Sequence, residues 1–177
     1  PEMMDLFRNQ AKKFGAECFF KHVTKVDFSS KPFKVFVGDE EFLSETVILS
    51  TGASARMLGL EAENELMGYG VSTCATCDGY FFKDKNIVVV GGGDSAMEEA
   101  SFLTKFAKKV TIIHRREVFK ASKIMLERAK NNSAINILVN KSIVDINGNQ
   151  KEGVSSIVLK DTVSGEENVF DLSLIHI

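Results

Sequence analysis

The most constraining feature of this sequence is an apolar run that leads directly into a glycine-rich turn and then into a helix-forming segment. Residues 86–90 are apolar after the first position, which is typical of a strand buried inside a parallel sheet. Gly91-Gly92-Gly93 follows at once, and residues 95–105 place apolar side chains at helical spacing. A strand, a glycine turn and a helix in this order predict an α/β fold with a Rossmann-like, dinucleotide-binding domain.

Three small residues have separate roles in the predicted nucleotide site. Gly91 permits the tight turn, Gly93 lets the backbone approach a pyrophosphate, and Ala96 lets the helix pack closely on the strand. The free N–H groups and the positive end of the helix dipole favour phosphate at the same place. We therefore predict Gly91, Gly93 and Ala96 as cofactor-binding residues.

A basic cluster follows the next predicted strand, residues 110–113. NAD sites usually carry an acidic residue near the end of this strand, where it accepts a hydrogen bond from the ribose 2′-hydroxyl. Here the strand ends in His114-Arg115-Arg116, and Lys120 follows. Guanidinium groups suit the 2′-phosphate of NADP, so the cluster favours NADPH over NADH. A solvated basic cluster without a ligand is the alternative.

Two of the three cysteines, Cys74 and Cys77, are separated by only two residues. Such a pair can close a small, reducible disulfide, whereas a zinc site would need further ligands at matching spacing. We predict a redox-active pair and no metal, with Asp78 beside the pair as general acid and base for thiol exchange. Cys18 is predicted to be a small buried side chain.

The charge balance and cysteine usage narrow the possible partners and the location. The chain has 177 residues with 22 basic and 24 acidic side chains, a formal net charge of −2. This balance gives no electrostatic reason to expect nucleic acid or an acidic membrane as partner. No apolar run is long enough to cross a bilayer, and few cysteines fit a reducing cytosol, so we predict a cytoplasmic location.

The remaining pattern predicts further elements and a domain boundary. Expected helices cover residues 1–16, 95–105 and 121–130, and expected strands cover 19–26, 34–37, 41–43, 46–50, 86–90, 110–113, 135–139, 142–146 and 155–160, with a turn at 147–149. Residues 58–70 show no clear period. We place a boundary there, so that one domain covers residues 1–69 and a second covers 70–171.

The last residues, 172–177, read Leu-Ser-Leu-Ile-His-Ile. A transposon-derived sequencing adapter would encode these residues if it were read through in frame. We expect a non-native tail and leave it out of the predicted fold. A native β-strand is the alternative.

Taken together, the motifs resemble those of the low-molecular-weight thioredoxin reductases. The resemblance rests on residues 74–79, 91–100 and 114–116 in this order and spacing, and on residues 51–53, which match a short motif of the flavin domain. It implies a flavoprotein with two dinucleotide-binding domains, in which the NADPH-binding domain is inserted into an FAD-binding domain. It also adds further residues to the predicted cofactor site: Thr51, Gly52, Ala53, Asp94 and Ser95.

The resemblance further implies a reaction, partners and residue roles. Electrons pass from NADPH through FAD to the Cys74–Cys77 disulfide and then to thioredoxin. Cys77 lies against the flavin, Cys74 attacks thioredoxin, and Asp78 gives and takes the proton. The family is typically homodimeric, and its members rotate the NADPH-binding domain about linkers, for which residues 58–70 are one candidate hinge.

The chain lacks two motifs that the family pattern includes. A Gly-x-Gly-x-x-Gly loop and a Gly-Asp motif of the flavin domain are missing from it. We expect the chain to be an internal fragment that binds FAD weakly and has no catalytic activity by itself. Two alternatives stay open: a related flavin disulfide reductase with another protein partner, and a non-catalytic NADPH-binding redox switch.

Overall fold

The computed structural model describes residues 2–177, and the chain divides into two compact units between Ala53 and Ser54. Pro1, where the first helix is predicted to begin, lies outside the described residues. The helices are α1 (Glu2–Lys13), α2 (Glu61–Glu65), α3 (Ala75–Asp78), α4 (Asp94–Leu103) and α5 (Lys123–Lys130), and a 3₁₀ turn covers Gly79–Phe82. The strands are β1 (Lys25–Asp27), β2 (Phe33–Val37), β3 (Glu40–Ser44), β4 (Val71–Ser72), β5 (Asn86–Val90), β6 (Lys109–His114), β7 (Ile135–Val139), β8 (Lys141–Asn149), β9 (Gly153–Asp161), β10 (Glu167–Asp171) and β11 (Leu174–His176).

The first unit contains α1 and a three-stranded antiparallel sheet in the order β1-β2-β3. The predicted hairpin is confirmed as β2 and β3, but the strand predicted at 19–26 is wrong over most of its length. Lys25 pairs with Phe36, so residues before Thr24 would need partners beyond Val37, where the chain turns at Gly38 with φ of 62°. Pairing therefore begins only at the end of the predicted strand.

The apolar run at 46–50 forms no strand, and that prediction is wrong. Ile48 is 90% exposed and Leu49 is 70% exposed, and no strand among the described residues pairs with them. A strand needs a neighbour to satisfy its backbone groups, so an apolar pattern alone does not produce one. Cys18 is exposed, which contradicts the predicted burial.

The second unit is built on a five-stranded parallel sheet in the order β4-β11-β5-β6-β7. One face packs on α3, α4 and α5 through a core that includes Val89, Met97 and Ala129. The other face packs on the antiparallel sheet β10-β9-β8 through a core that includes Val88 and Ile157. Burial on both faces explains why the sequence of β5 is almost continuously apolar, and it confirms the predicted α/β class.

Residues 174–176 form β11, the strand between β4 and β5. Ile175 pairs with Val71 on one side and with Val88 on the other, and His176 is 2% exposed. Leaving this segment out of the predicted fold therefore omits a strand of the parallel sheet. The non-native origin of the segment stays a prediction.

The turn that joins β8 and β9 lies later than predicted. Gly148 and Asn149 still pair with β9, and the chain reverses over residues 150–152. The Asn149 side-chain oxygen accepts hydrogen bonds from the Lys151 and Glu152 amides, each at 2.9 Å. These hydrogen bonds to the Asn149 side chain stabilise a turn that follows the residues, 147–149, where the sequence predicts it.

The segment predicted as a boundary, 58–70, is bound into the second unit. The Glu63 carboxylate accepts hydrogen bonds from the amides of Leu58, Gly59 and Leu60 at 2.7, 2.7 and 2.9 Å. Leu66 is 3% exposed in the core beneath the antiparallel sheet. The compact units divide four residues before this segment, between Ala53 and Ser54, and the assignment of each unit to one cofactor stays a prediction.

Candidate functional site

Cys74 and Cys77 form a disulfide at the start of α3, with their Cα atoms 5.2 Å apart. Cys74 is the N-cap of the helix, and its Sγ accepts a hydrogen bond from the Cys77 amide at 3.2 Å. The Cys74 amide donates in turn to the hydroxyl of buried Ser72 at 3.0 Å. Cys77 is exposed and Cys74 is half-buried. The backbone therefore holds the pair in place, with Cys77 at the surface of the second unit.

The helix that carries the disulfide packs directly on α4. A Cβ placed on Gly79, the residue that follows α3, would lie 2.6 Å from Cδ2 of Leu103, so a larger residue there would force the Leu103 side chain to shift. Asp78, half-buried beside Cys77, lines a cavity of about 210 Å³ with Phe81 and Phe82. The role of Asp78 as general acid and base stays a prediction.

The glycine turn, Gly91–Gly93, joins β5 to α4 as predicted. A Cβ on Gly91 would lie 2.8 Å from the Ala96 Cβ, which shows that both positions must be small for the helix to approach the strand. Gly93 faces open space, since a Cβ there would meet no atom within 4 Å. The side of the turn at Gly93 therefore leaves room for a phosphate group, and Ser95 lies exposed in the first turn of the helix.

The basic segment, residues 114–122, begins where β6 ends, at the same edge of the sheet as the glycine turn. The His114 ring stacks on Phe119 with centroids 4.8 Å apart, and His114 Nε2 lies 3.2 Å from the Val118 carbonyl oxygen, to which it donates. Arg115, Arg116 and Lys120 are exposed. The imidazole thus shapes the segment, and the three cationic side chains remain available to an anion.

Gly92 contacts the basic segment, although the sequence did not predict it as a site residue. A Cβ on Gly92 would collide with the His114 ring, and its carbonyl accepts from the Lys120 and Ala121 amides at 2.8 and 2.9 Å. Three consecutive glycines were the available signal, because the dinucleotide motif assigns a role only to the first and third. Contact with the basic segment explains the second.

Gly92→Ala is expected to destabilise the second unit by about 1–3 kcal/mol, because the added methyl group forces the His114 ring off Phe119. Urea unfolding followed by circular dichroism measures the loss. Gly93→Ala is the matched control: its methyl group meets open space, so it should lose only the N-cap preference for glycine and cost less than Gly92→Ala. Equal stability of the two variants would contradict the expected packing.

Thr51, Gly52 and Ala53 belong to the first unit, whereas the other predicted site residues belong to the second. All three are exposed, and Gly52 has a positive φ of 71° that favours glycine. Within the second unit, the disulfide follows the carboxyl end of β4 and the glycine turn follows the carboxyl end of β5, so both lie at the same edge of the parallel sheet.

Among residues 2–177, no group of three or more His, Cys, Asp or Glu side chains is arranged to hold a metal ion. No helix in the same range has the length and apolar character required to cross a membrane.

Comparison with known proteins places the chain in a family. The family model described as pyridine nucleotide-disulphide oxidoreductase matches residues 3–177. The thioredoxin reductase of Mycolicibacterium smegmatis is 54% identical over 173 residues, which cover 98% of this chain and 55% of that protein. A bifunctional thioredoxin reductase/thioredoxin of Mycobacterium leprae (strain TN) is 49% identical over 169 residues, covering 94% of this chain and 36% of that protein.

A solved structure of a thioredoxin reductase also matches nearly the whole chain. Thioredoxin reductase from Giardia duodenalis superposes with a TM-score of 0.88 at 38% identity, over 99% of this chain and 57% of that one. The chain thus spans little more than half the length of the Mycolicibacterium smegmatis relative. The match over nearly all of its residues establishes that the chain belongs to the pyridine nucleotide-disulphide oxidoreductase family.

Proposed function

We propose that this chain is an internal part of an NADPH-dependent thioredoxin reductase that uses FAD. The observation that carries the proposal is the Cys74–Cys77 disulfide on a helix packed against the helix of a dinucleotide-binding turn. Thioredoxin reductases that match nearly the whole chain support the same activity and thioredoxin as the partner. We extend the proposal to a cytoplasmic homodimer, as predicted from the sequence and the resemblance.

The second unit fits NADPH. Gly91 and Gly93 are the proposed contacts to the pyrophosphate, because the turn is tight at the first and open at the second. Arg115, Arg116 and Lys120 are the proposed contacts to the 2′-phosphate, since all three are exposed and cationic at the end of β6. His114 and the first turn of α4 complete the proposed site.

The chain offers less for FAD. Among the residues we predict for it, Thr51, Gly52 and Ala53 are exposed backbone at the end of the first unit. Several apolar side chains of this unit are exposed, such as Phe7, 56%, and Ile48, 90%, which is typical of a surface that packs on another segment or partner. Both observations support an internal piece whose flavin site is completed by further chain.

The chemistry of the chain's own residues follows from the disulfide. When bound, NADPH and FAD supply two electrons to the site. The Cys74–Cys77 bond accepts them and two protons to become a dithiol, and Asp78 is the proposed proton carrier. The Cys74 thiolate then attacks the thioredoxin disulfide and forms a mixed disulfide with it. Cys77 next attacks Cys74, so that the Cys74–Cys77 bond re-forms and thioredoxin leaves as a dithiol.

A visible absorption spectrum and a nucleotide titration of this chain test the proposal. After FAD is added and the sample is desalted, we expect a colourless protein that still binds NADPH more tightly than NADH in calorimetry. A longer protein carrying this chain should then reduce thioredoxin with NADPH. Failure of the chain to prefer NADPH, or of the longer protein to reduce thioredoxin, would refute the proposed function.

A further inference from the structure

The basic segment is tied to the glycine turn by three hydrogen bonds. Two of them join main chain to main chain, from the Lys120 and Ala121 amides to the Gly92 carbonyl. The third uses a side chain, because Asp94 Oδ1 accepts from the Ser122 amide at 2.7 Å across 28 residues of sequence. Asp94 is therefore the side chain that links the start of α4 to the segment ahead of α5.

The other end of the basic segment is held separately. The Thr162 hydroxyl donates to the Arg115 carbonyl at 3.3 Å, from a turn that is itself capped by Asp161. The hydrogen bond from the Lys141 side chain, with those from the Ser164 and Val163 amides, holds the pKa of the Asp161 carboxyl well below its ordinary value. At the second end, the Asp94 bond is the side-chain contact that adds to the two main-chain bonds to Gly92.

A direct role of Asp94 in holding phosphate is electrostatically unfavourable. Asp94 directly follows Gly93, where we propose a pyrophosphate contact, and a carboxylate and a phosphate repel each other at short range. Its Oδ1 is instead occupied by the Ser122 amide. Any contribution of Asp94 to nucleotide binding must therefore come through the basic segment, which its side chain holds at Ser122.

We propose that Asp94 is a positioning residue, which fixes the basic segment over the glycine turn and thereby sets the preference for a 2′-phosphate. The inference rests on the proposed NADPH site and changes the role of Asp94 within it from ligand contact to tether. It predicts that the hydrogen-bond acceptor matters and the negative charge does not. Asparagine keeps that acceptor, whereas alanine removes it.

Calorimetric titration of this chain with 2′,5′-ADP and with 5′-AMP tests the proposal. Asp94→Ala should weaken 2′,5′-ADP binding about fivefold and leave 5′-AMP binding unchanged within about twofold, the size of one lost hydrogen bond. Asp94→Asn should bind 2′,5′-ADP as tightly as the unaltered chain or more tightly. Glu98→Ala, an exposed carboxylate on the same helix, is the control and should change neither affinity.

Other results would overturn the tether. Tighter binding in both Asp94 variants would show that the carboxylate only repels phosphate, and equal weakening in both would show that its charge is what counts. No change in either would leave Asp94 without a role. The exchange rate of the Ser122 amide, measured by NMR without ligand, must rise in Asp94→Ala and stay low in Asp94→Asn. Absence of 2′,5′-ADP binding by the unaltered chain would instead refute the proposed nucleotide site, while amide exchange still reports the tether.

Discussion

Replacing Cys74 with serine should abolish thioredoxin reduction by a reductase that carries this chain, while NADPH still reduces the flavin. The serine hydroxyl does not attack a disulfide, so we expect thioredoxin turnover to fall by about a thousandfold or more. The remaining Cys77 is exposed in the structure and keeps its place at the end of the first turn of α3. Insulin reduction through thioredoxin measures the first activity, and anaerobic bleaching of the flavin band measures the second.

Two further cysteine variants sharpen this experiment. Cys77→Ser should also stop turnover, but its free Cys74 thiol should capture thioredoxin as a stable mixed disulfide on a non-reducing gel. Cys18→Ser removes an exposed thiol of the first unit and should leave both activities intact. Residual turnover in Cys74→Ser would exclude Cys74 as the attacking sulfur, and loss of flavin bleaching would indicate a damaged fold instead.

The second large effect is expected at the basic segment. In the double variant Arg115→Ala/Arg116→Ala, the chain should bind NADPH about a hundredfold more weakly and NADH with nearly unchanged affinity, because two charge-assisted contacts to the 2′-phosphate are lost. Both side chains are exposed, so the substitutions should leave the core intact. Calorimetric titration with each nucleotide gives the two dissociation constants and their ratio.

The matched control for the arginine pair is Arg128→Ala. Arg128 is an exposed cation on α5, in the same unit, and its removal changes the net charge without touching the basic segment. We expect it to alter NADPH affinity by no more than about twofold through long-range electrostatics. A loss of NADH binding equal to the loss of NADPH binding in the double variant would show that the arginines do not read the 2′-phosphate.

The sequence predicted the parts of the second unit whose signals are local. The strand, glycine turn and helix at 86–103 are found as expected, because each residue type there agrees with one backbone geometry. The cysteine pair forms its disulfide because a spacing of three residues allows one helical turn to bring the sulfurs together. These features depend little on distant residues.

The errors lie where distant residues decide. The apolar run at 46–50 has the composition of a strand, but no neighbouring strand pairs with it. Residues 174–176 form a strand only because β4 and β5 lie on either side of them. The packing of His114 over Gly92 cannot be predicted from sequence either, because the two residues lie 22 positions apart in the chain and meet only in the folded structure. Pairing and packing of this kind require the folded chain.

The amides held by Glu63 determine where the second unit can be separated from the rest of the protein. A truncation that starts after Leu60 would remove all three donors and leave a carboxylate, 1% exposed, without those partners. A truncation that starts at Ser54, where the compact unit begins, keeps them. The natural fragment for expression, crystallisation and nucleotide titration is therefore residues 54–177, sixteen residues longer at its amino-terminal end than the motif-based boundary at residue 70 suggests.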